Sequence, residues 1–194
     1  MPGFDPEAVL RHFYPEDTPL RRLLLRHSSQ VRDMVRDMAL RILDAPSCTL
    51  DLDRDLVSAG AMLHDVGILK CHAPSILCTG TLPYVTHGVT GAAMLREYGR
   101  ANGLDMEPYA RICERHTGTG ITAAEVVAQK IPLPVRDYCP ETPEEKLICL
   151  ADKFFSKSGD MREKSPEVVR KSLEKFGADT IERFDAMLRM FGLV

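Results

Sequence analysis

Six residues of types that commonly bind metal ions are spread along this sequence. They are four histidines and two aspartates, namely His27, His64, Asp65, His87, His116 and Asp152. Imidazole and carboxylate groups together suit Fe, Mn, Zn, Ni or Co better than Ca or Mg. Asp65 and Asp152 are the most informative, because each follows an apolar stretch in which an unpaired charge is costly. Asp152 needs a partner there, and we expect the adjacent Lys153 to point elsewhere on the helix.

Each of these residues, taken alone, also fits a purely structural role. His27 lies in a polar-flanked part of a long predicted helix and fits an exposed or core-edge position. His87 stands near a helix start and fits a capping or loop residue. His116 precedes a Thr-Gly-Thr-Gly turn, where a cation stabilises a helix C-terminus. For His64-Asp65 alone, a hydrogen-bonded histidine before a helix-end aspartate is the simpler interpretation. The metal hypothesis therefore depends on the whole set.

The composition is that of an ordinary globular protein without a strong charge bias. The chain has 194 residues, of which 44% are hydrophobic and 27% charged, and its net charge is −3. Such a chain can bury a full core, and without a basic excess we expect no nucleic acid as the main partner. The N-terminal residues lack signal-peptide features, and no apolar run is long enough to cross a bilayer. We therefore expect a cytoplasmic protein without a membrane partner.

The cysteines give no sign of a disulfide framework or a zinc site. They are Cys48, Cys71, Cys78, Cys113, Cys139 and Cys149. None forms a Cys-X-X-Cys pair, and without an export signal we expect reduced thiols. Cys113 and Cys149 lie in apolar helical stretches and are expected in the core.

The elements that position the six residues are predicted to be helices. Apolar residues recur with a period of 3.6, and no strong strand alternation occurs. We predict an all-α fold of roughly eight helices. The first four cover residues 20–43, 53–66, 86–98 and 107–116. Gly67 is expected to close the second helix and Thr86 to cap the third.

Helix starts in the second half of the chain carry clear capping signals. Thr122 with Glu125 fits a capping box. Thr142 starts a helix in the same way, with a proline at the first position and a glutamate at the third, and Ser165 is also followed by a proline. A last amphipathic helix is expected after Gly177.

Two segments are predicted to be irregular. Lys70 to Pro83 is rich in loop formers and long for a connection, and long loops are often functional. We expect its part from Cys71 to Pro83 to form one wall of a substrate pocket. Residues 131–140 contain three prolines and cannot form a regular helix.

The order of the candidate ligands resembles that of the HD superfamily of metal-dependent phosphohydrolases. The family pattern is a His, a His-Asp pair and a distant Asp on different helices. The text AMLHDVG is similar to the HDIG variant of that pair, and LADKFFSK looks like the final aspartate helix. THGVTGAAMLREYG and ICERHTGTGIT resemble bacterial HD-type diadenosine tetraphosphate hydrolases most. The HD-GYP phosphodiesterases differ, since Ile68 stands where they carry a lysine and no GYP follows His116.

The resemblance implies a helical HD bundle with two divalent metal ions. It implies a single domain over residues 1–194, with a core at about 20–157 and C-terminal helices at 165–191 packed on it. Fe or Mn is expected, with Zn, Ni or Co as alternatives. One ion is assigned to His27, His64, Asp65 and Asp152. The second is assigned to His87 and His116, with Asp65 bridging the two ions.

The activity implied is hydrolysis of a nucleotide or another small phosphate ester by a metal-bound hydroxide. Catalytic roles are assigned to Asp65, His64 and Lys153, and substrate binding to Thr117, Lys153, Lys157 and Lys70. Lys153 and Lys157 are expected one turn apart on a helix, and Arg115 and Arg136 are further candidates for phosphate. Two alternatives stay open, a di-iron oxygenase of the same superfamily and a non-catalytic nucleotide-binding regulator. The sequence leaves a homodimer open.

Overall fold

The computed structural model describes residues 3–45 and 50–193, and these form nine α-helices with short connections. The helices are α1 (Pro6–Phe13), α2 (Pro19–Leu43), α3 (Arg54–Leu63), α4 (His87–Asn102), α5 (Glu107–Arg115), α6 (Ala123–Ala128), α7 (Pro143–Lys153), α8 (Pro166–Leu173) and α9 (Ala178–Met190). The predicted all-α class is confirmed. None of the described helices has both the length and the apolarity needed to cross a membrane.

The segment predicted as an irregular loop contains a small three-stranded sheet. Its strands are β1 (Cys71–Ala73), β2 (Cys78–Thr79) and β3 (Leu82–Pro83), in the order β2-β1-β3. β1 pairs antiparallel with β2 and parallel with β3. Short 3₁₀ segments cover Val66–Lys70, Pro74–Ile76, Tyr84–Thr86 and Glu174–Phe176. Strands this short have no sequence alternation, so the prediction of a loop was wrong in detail.

The predicted capping signals act as expected. Thr122 and Thr142 each form a complete capping box with the glutamate three residues later. The hydroxyl of Ser165 accepts a hydrogen bond from the backbone N–H of Val168 at the start of α8. These local bonds satisfy N–H groups that the first helical turn leaves without partners.

Three helix boundaries differ from the prediction. Helix α3 ends at Leu63, and Gly67 lies in the following 3₁₀ segment instead of closing the helix. Thr86 does not cap α4, because its hydroxyl donates to the carbonyl oxygen of Pro83. Helix α4 runs on to Asn102 and ends at Gly103, whose φ of 66° suits glycine. The N-terminal helix α1 was not predicted.

The core consists of two large hydrophobic clusters and a small one around Ile121, Val126 and Tyr138. One large cluster joins α2 and α7 to the C-terminal helices through residues such as Val35, Leu150 and Phe184. The other joins α1, α3, α4 and α5 through residues such as Leu10 and Leu95. The last helix therefore packs on the same core as α7, which carries Asp152.

Glycines allow α4 to approach the backbone of two neighbouring elements. A Cβ at Gly67 would overlap the backbone of His87 and Gly91, and a Cβ at Gly88 would overlap the carbonyl oxygen of Cys113. Only glycine fits such contacts. These approaches bring the first turn of α4 against the end of α5 and the residues after the His-Asp pair.

The five cysteines within the described residues are free. Cys113 and Cys149 are fully buried, as predicted. Burial raises the pKa of Cys149 to about 12, so this thiol stays protonated at neutral pH. Cys48 lies outside the described residues.

Candidate metal centre

All six candidate ligands meet in the interior of the molecule. They are at most 7% exposed and come from α2 (His27), the end of α3 (His64 and Asp65), the start of α4 (His87), the end of α5 (His116) and α7 (Asp152). Unpaired ionisable groups are rarely buried to this degree. The side chains form two groups of possible ligands that share Asp65.

Asp65 lies between two pairs of histidines and directs one carboxylate oxygen at each pair. Its Oδ2 lies 3.3 Å from Nε2 of His27 and 3.3 Å from Nε2 of His64. Its Oδ1 lies 3.4 Å from Nε2 of His87 and 3.3 Å from Nε2 of His116. A carboxylate in this position is suited to bridge two ions.

Asp152 completes the first group of ligands. Its Oδ1 lies 2.8 Å from Nε2 of His27 and 3.4 Å from Nε2 of His64. Within each group, the possible ligand atoms lie within 4.8 Å of one another. The first group therefore offers two imidazoles and two carboxylates, and the second offers two imidazoles and the other oxygen of Asp65.

Three of the four histidines are oriented by the same backbone contact. Nδ1 of His64, of His87 and of His116 each donates a hydrogen bond of 2.7 Å to a carbonyl oxygen three residues earlier. The acceptors belong to Ala61, Tyr84 and Cys113. Because a carbonyl oxygen only accepts, Nδ1 carries a proton, and a neutral ring then directs the lone pair of Nε2 toward the centre. This contact explains why these histidines stand at helix ends.

Several polar atoms of the centre are buried without a hydrogen-bond partner among the described residues. They include Oδ1 of Asp65 and Nε2 of His64. Buried acceptors in this state are rare, and each calls for an explanation such as an ion. Oxygen and nitrogen acceptors that converge in a buried space fit divalent transition-metal ions.

Two lysines contact the carboxylates, Lys157 on the oxygens that face His27 and His64, and Lys153 on the other oxygen of Asp152. Nζ of Lys157 lies 2.7 Å from Oδ2 of Asp65 and 3.7 Å from Oδ1 of Asp152. Nζ of Lys153 lies 2.7 Å from Oδ2 of Asp152 and donates to the carbonyl oxygen of His116. Two expectations were wrong. Lys153 curls back to Asp152, which its long side chain permits, and Lys157 lies beyond the end of α7 instead of one turn along it.

The charges at the centre hold the carboxylates ionised. Burial would raise the pKa of Asp65, but Lys157 holds that pKa well below its usual range. Burial would likewise raise the pKa of Asp152, which Lys153 and Lys157 hold low. The two carboxylates in turn raise the pKa of Lys157 against the effect of burial. Ionised carboxylates are the form that binds metal.

The histidines of the two groups differ in proton affinity. Burial would lower the pKa of His64, but Asp65 and Asp152 raise it to about 9. In the second group, burial and the neighbouring His116 lower the pKa of His87 to about 3, and burial also lowers the pKa of His116. The second pair is therefore neutral at physiological pH, which is the state that an imidazole ligand needs.

Comparison with known protein families agrees with this arrangement. The model of the HD domain family matches residues 24–156, a stretch that includes all six candidate ligands. The chain belongs to the HD domain family. The resemblance to diadenosine tetraphosphate hydrolases stays a prediction.

Curated relatives of this HD domain are mostly longer proteins. A tRNA (cytidine(56)-2′-O)-methyltransferase of Picrophilus torridus is 40% identical over 134 residues, which are 69% of this chain and 32% of that protein. A protein of the same name from Thermoplasma volcanium is 32% identical over 88% of this chain and 42% of that protein. An uncharacterized protein of Methanocaldococcus jannaschii is 33% identical over 79% of this chain and 78% of its own length.

Among solved structures, the HD domain of the L. monocytogenes phosphodiesterase PgpH is similar to this one. The match has a TM-score of 0.47 and 15% sequence identity, and it covers 89% of this chain and 96% of that chain. The chain spans about a third and about two fifths of the two relatives named as methyltransferases.

A cavity of about 490 Å³ opens beside the centre of the HD domain. His87 lines it together with Thr117, the predicted substrate-binding residue, and its wall includes Tyr84 and residues of the C-terminal segment. Among the described lining residues, none comes from 71–83. The prediction that Cys71 to Pro83 form a wall is therefore wrong for this cavity, whose lining begins at Tyr84.

The remaining candidates for phosphate binding lie away from the centre or are already paired. Lys70 is exposed at the end of its 3₁₀ segment, and its side chain makes no ion pair with the described residues. Arg115 bonds to Glu141 at 2.7 Å, and Arg136 pairs with the buried Glu114. Among the described residues, none of these three side chains forms a hydrogen bond or ion pair with a ligand side chain.

Sequence reasoning missed two aromatic residues beside the centre. The ring of Tyr84 stacks on His87, with 4.6 Å between the ring centroids, and Lys157 partly offsets the rise in the pKa of its hydroxyl that burial causes. Phe176 lines the cavity although its ring is 51% exposed. Tyr84 could have been noticed because it stands three residues before a ligand histidine. Phe176 lies in a segment without a motif and gave no such signal.

Proposed function

We propose that this HD domain is a metal-dependent phosphohydrolase with a two-ion centre. The observation that carries the proposal is the position of Asp65, whose two oxygens face separate pairs of histidine Nε2 atoms. A site for one ion needs only the first group. His87 and His116 would then be buried around Oδ1 of Asp65 without an ion to bind.

The ligand assignment follows from the two groups. The first ion would be held by His27, His64, Asp65 and Asp152, and the second by His87, His116 and Asp65. Divalent ions bound there would lower the pKa of water and neutralise the charge of a phosphate. The metal identity that we propose is Fe or Mn, in line with the mixed ligand set.

The protein groups around the ligands support phosphate as the reacting group. Lys157 is an ammonium at the edge of the centre, and Thr117 offers a hydroxyl beside His87. We assign Lys157 to phosphate binding. Lys153 contacts the outer oxygen of Asp152 and acts as a positioning residue for it. Positive groups at this place favour an anionic substrate.

We propose a nucleotide or another small phosphate ester as the substrate. The names of two relatives refer to methyl transfer on tRNA, but this chain matches less than half of each. We attribute the match to one part of those longer proteins. The buried centre of this chain is built from metal ligands, which suits hydrolysis. Methyl transfer is therefore not part of the proposal.

The test is a measurement of metal content together with phosphate release. Protein loaded with Fe or Mn should hold two equivalents and release phosphate from a panel of nucleotides and sugar phosphates. Chelation should abolish the activity, and metal should restore it. Asp65→Asn should lose metal and at least a hundredfold in rate, since it removes the shared ligand. Asp33→Asn, an exposed aspartate on α2, is the matched control.

Three outcomes would contradict the proposal. Metal-loaded protein that consumes oxygen with a substrate but releases no phosphate would indicate an oxygenase. Protein that binds nucleotide without turnover in any metal would indicate a regulator. Full phosphate release from Asp65→Asn would show that the centre described above is not the site of hydrolysis.

A further inference from the structure

The cavity beside His87 has the size and lining of a small-molecule site. Its volume of about 490 Å³ falls in the range of such pockets, roughly 300–1,000 Å³. Its lining is mostly apolar, with Tyr84, Ile131 and Phe176 among the larger side chains. Of the second group of ligands, His87 lines the cavity, together with Thr117.

One wall of this cavity comes from outside the part of the chain that matches the family. The family match ends at residue 156, whereas Phe176 and Thr180 lie in the C-terminal segment. That segment is held in place by polar bonds. The hydroxyl of Thr119 donates to the carbonyl oxygen of Thr180, and Arg183 forms a 2.7 Å ion pair with Glu125. The segment after residue 156 therefore adds this wall to the part of the chain that matches the family.

Phe176 presents an aromatic ring to the cavity at a site where solvent also reaches it. Its ring is 51% exposed, and the ammonium of Lys175 lies 4.9 Å from its centroid. The adjacent Gly177, with a φ of 100°, fixes the turn between the 3₁₀ segment and α9. An aromatic ring held at the mouth of a cavity is suited to stack on a planar group.

Polar side chains also line the cavity, and they differ in whether another residue already engages them. Glu125 is engaged with Arg183 and Thr122. Gln129 is exposed, and its side-chain amide makes no hydrogen bond within the described residues, so it offers both a donor and an acceptor to a ligand. Large apolar and aromatic side chains beside a free amide suit a flat heterocycle better than a sugar.

We infer that this cavity binds the base of a nucleotide substrate whose phosphate lies at the metal centre. Phe176 supplies a stacking surface and Gln129 reads the polar edge of the base. This inference rests on the proposed phosphohydrolase function and names its substrate class as nucleoside phosphates. The C-terminal segment thus determines specificity, while the six ligands perform the reaction.

Kinetics with two probes test the inference on the metal-loaded protein. The probes are adenosine 5′-monophosphate and ribose 5-phosphate, which carry the same phosphate with and without a base. Phe176→Ala should raise KM for the nucleotide about tenfold and leave kcat within about twofold. KM for ribose 5-phosphate should stay unchanged. Phe176→Tyr, which keeps the ring, should behave as the wild type.

A control variant and a binding experiment make the test independent of folding and of turnover. Val168→Ala removes an equally exposed apolar side chain on α8 that does not line the cavity, and it should change neither KM. In saturation-transfer NMR, wild-type protein should bind adenosine, which has no phosphate, and Phe176→Ala should bind it much less.

The possible outcomes separate this inference from the proposed function. If no phosphate ester is hydrolysed, the proposed function fails, and loss of adenosine binding in Phe176→Ala would still support the base site. If Phe176→Ala raises both KM values equally, or neither, or binds adenosine as the wild type does, the base site is wrong. Gln129→Ala should narrow the difference in KM between adenine and uracil nucleotides, and an unchanged difference would remove Gln129 from the site.

Discussion

At the scale of single residues, Asp65 and the two outermost histidines decide how many ions the centre holds. Asp65 contributes an oxygen to each group, whereas His87 and His116 belong to one group alone. Their Nε2 atoms lie 3.0 Å from each other, and neither ring contacts Asp152 by an ion pair among the described residues. The two groups can therefore be separated by mutation.

The double variant His87→Ala/His116→Ala should lose one of two metal equivalents and keep the other. The first group stays complete in this variant, with two imidazoles and two carboxylates. Elemental analysis of Fe- or Mn-loaded protein measures the loss, and His12→Ala, an exposed histidine on α1, serves as the control. Equal metal content in the wild type and the double variant would remove the second ion from the proposal.

Lys157 has a different role in the metal-free and in the metal-loaded protein. In metal-free protein, Lys157→Met should lower the free energy of unfolding by about 3 kcal/mol, because buried carboxylates lose their compensating charge. With metal bound, the loss should be well under that, since the ions supply positive charge. Urea unfolding with and without metal measures both values. Lys171→Met on α8 is the exposed control, and an equal loss in both states would contradict the prediction.

At the scale of elements, the centre depends on how closely α4 approaches α5. Gly88 follows His87 directly, and a side chain there would overlap the carbonyl oxygen of Cys113, the same oxygen that orients His116. The carbonyl oxygen of Cys113 thus both limits how closely α4 packs and orients the ring of His116. Close packing of this kind does not relax without moving a helix.

Gly88→Ala should lower the free energy of unfolding by about 2 kcal/mol and weaken the second metal site. The added methyl group pushes the start of α4 away from α5 and separates His87 from His116. Chemical denaturation gives the stability, and metal titration gives the affinity of each ion. Ala93→Ser, an exposed change on the same helix, should alter neither. A Gly88→Ala variant with both ions at wild-type affinity would show that the contact does not position the ligands.

The sequence predicted those elements whose signals are local. The capping boxes at Thr122 and Thr142 were correct because their hydrogen bonds join residues three apart. The end of α3 was predicted too late because Gly67 suggested the helix end. The helix ends at Leu63, where the ring of His64 donates to the carbonyl oxygen of Ala61. The sheet at 71–83 was missed because its pairing depends on contacts between strands of two or three residues.

The same distinction applies to the centre. Family order brought the six ligands into one hypothesis, and the structure places them together. The orientation of Lys153 and the position of Lys157 depend on side-chain conformation and on where α7 ends, which no spacing rule gives. Phe176 reaches the cavity only through tertiary packing of a segment that has no motif.

At the scale of the whole molecule, an ion pair fastens the C-terminal helices to the rest. Arg183 of α9 bonds to Glu125 of α6 at 2.7 Å and to the carbonyl oxygen of Gly120 at 3.3 Å. Both side chains are less than a quarter exposed. Burial would raise the pKa of Glu125, but Arg183 and the backbone of Thr122 lower it.

Arg183→Met should destabilise the protein by about 1 kcal/mol at pH 7. Because the pKa of Glu125 is lower in the folded than in the unfolded protein, this stabilisation is present above the ordinary value of 4.5 and is lost as the pH falls through the folded value. The difference between variant and wild type should therefore shrink at acid pH. Urea unfolding at pH 7 and at acid pH measures the free-energy difference. Arg170→Met, which removes the more exposed ion pair with Asp185, is the control. A difference that grows below pH 4 would contradict the assignment.

The ligands of the first group also set when, during folding, an ion can begin to matter. His27 and Asp152 lie 125 residues apart in the chain, so they meet only after most helices have docked. An ion then binds late and contributes little to the folding transition state. It therefore lowers the unfolding rate and does not raise the folding rate. In stopped-flow experiments, saturating metal should slow unfolding by orders of magnitude and leave the refolding rate nearly unchanged. The lifetime of the native chain, more than the speed with which it forms, would follow the supply of metal.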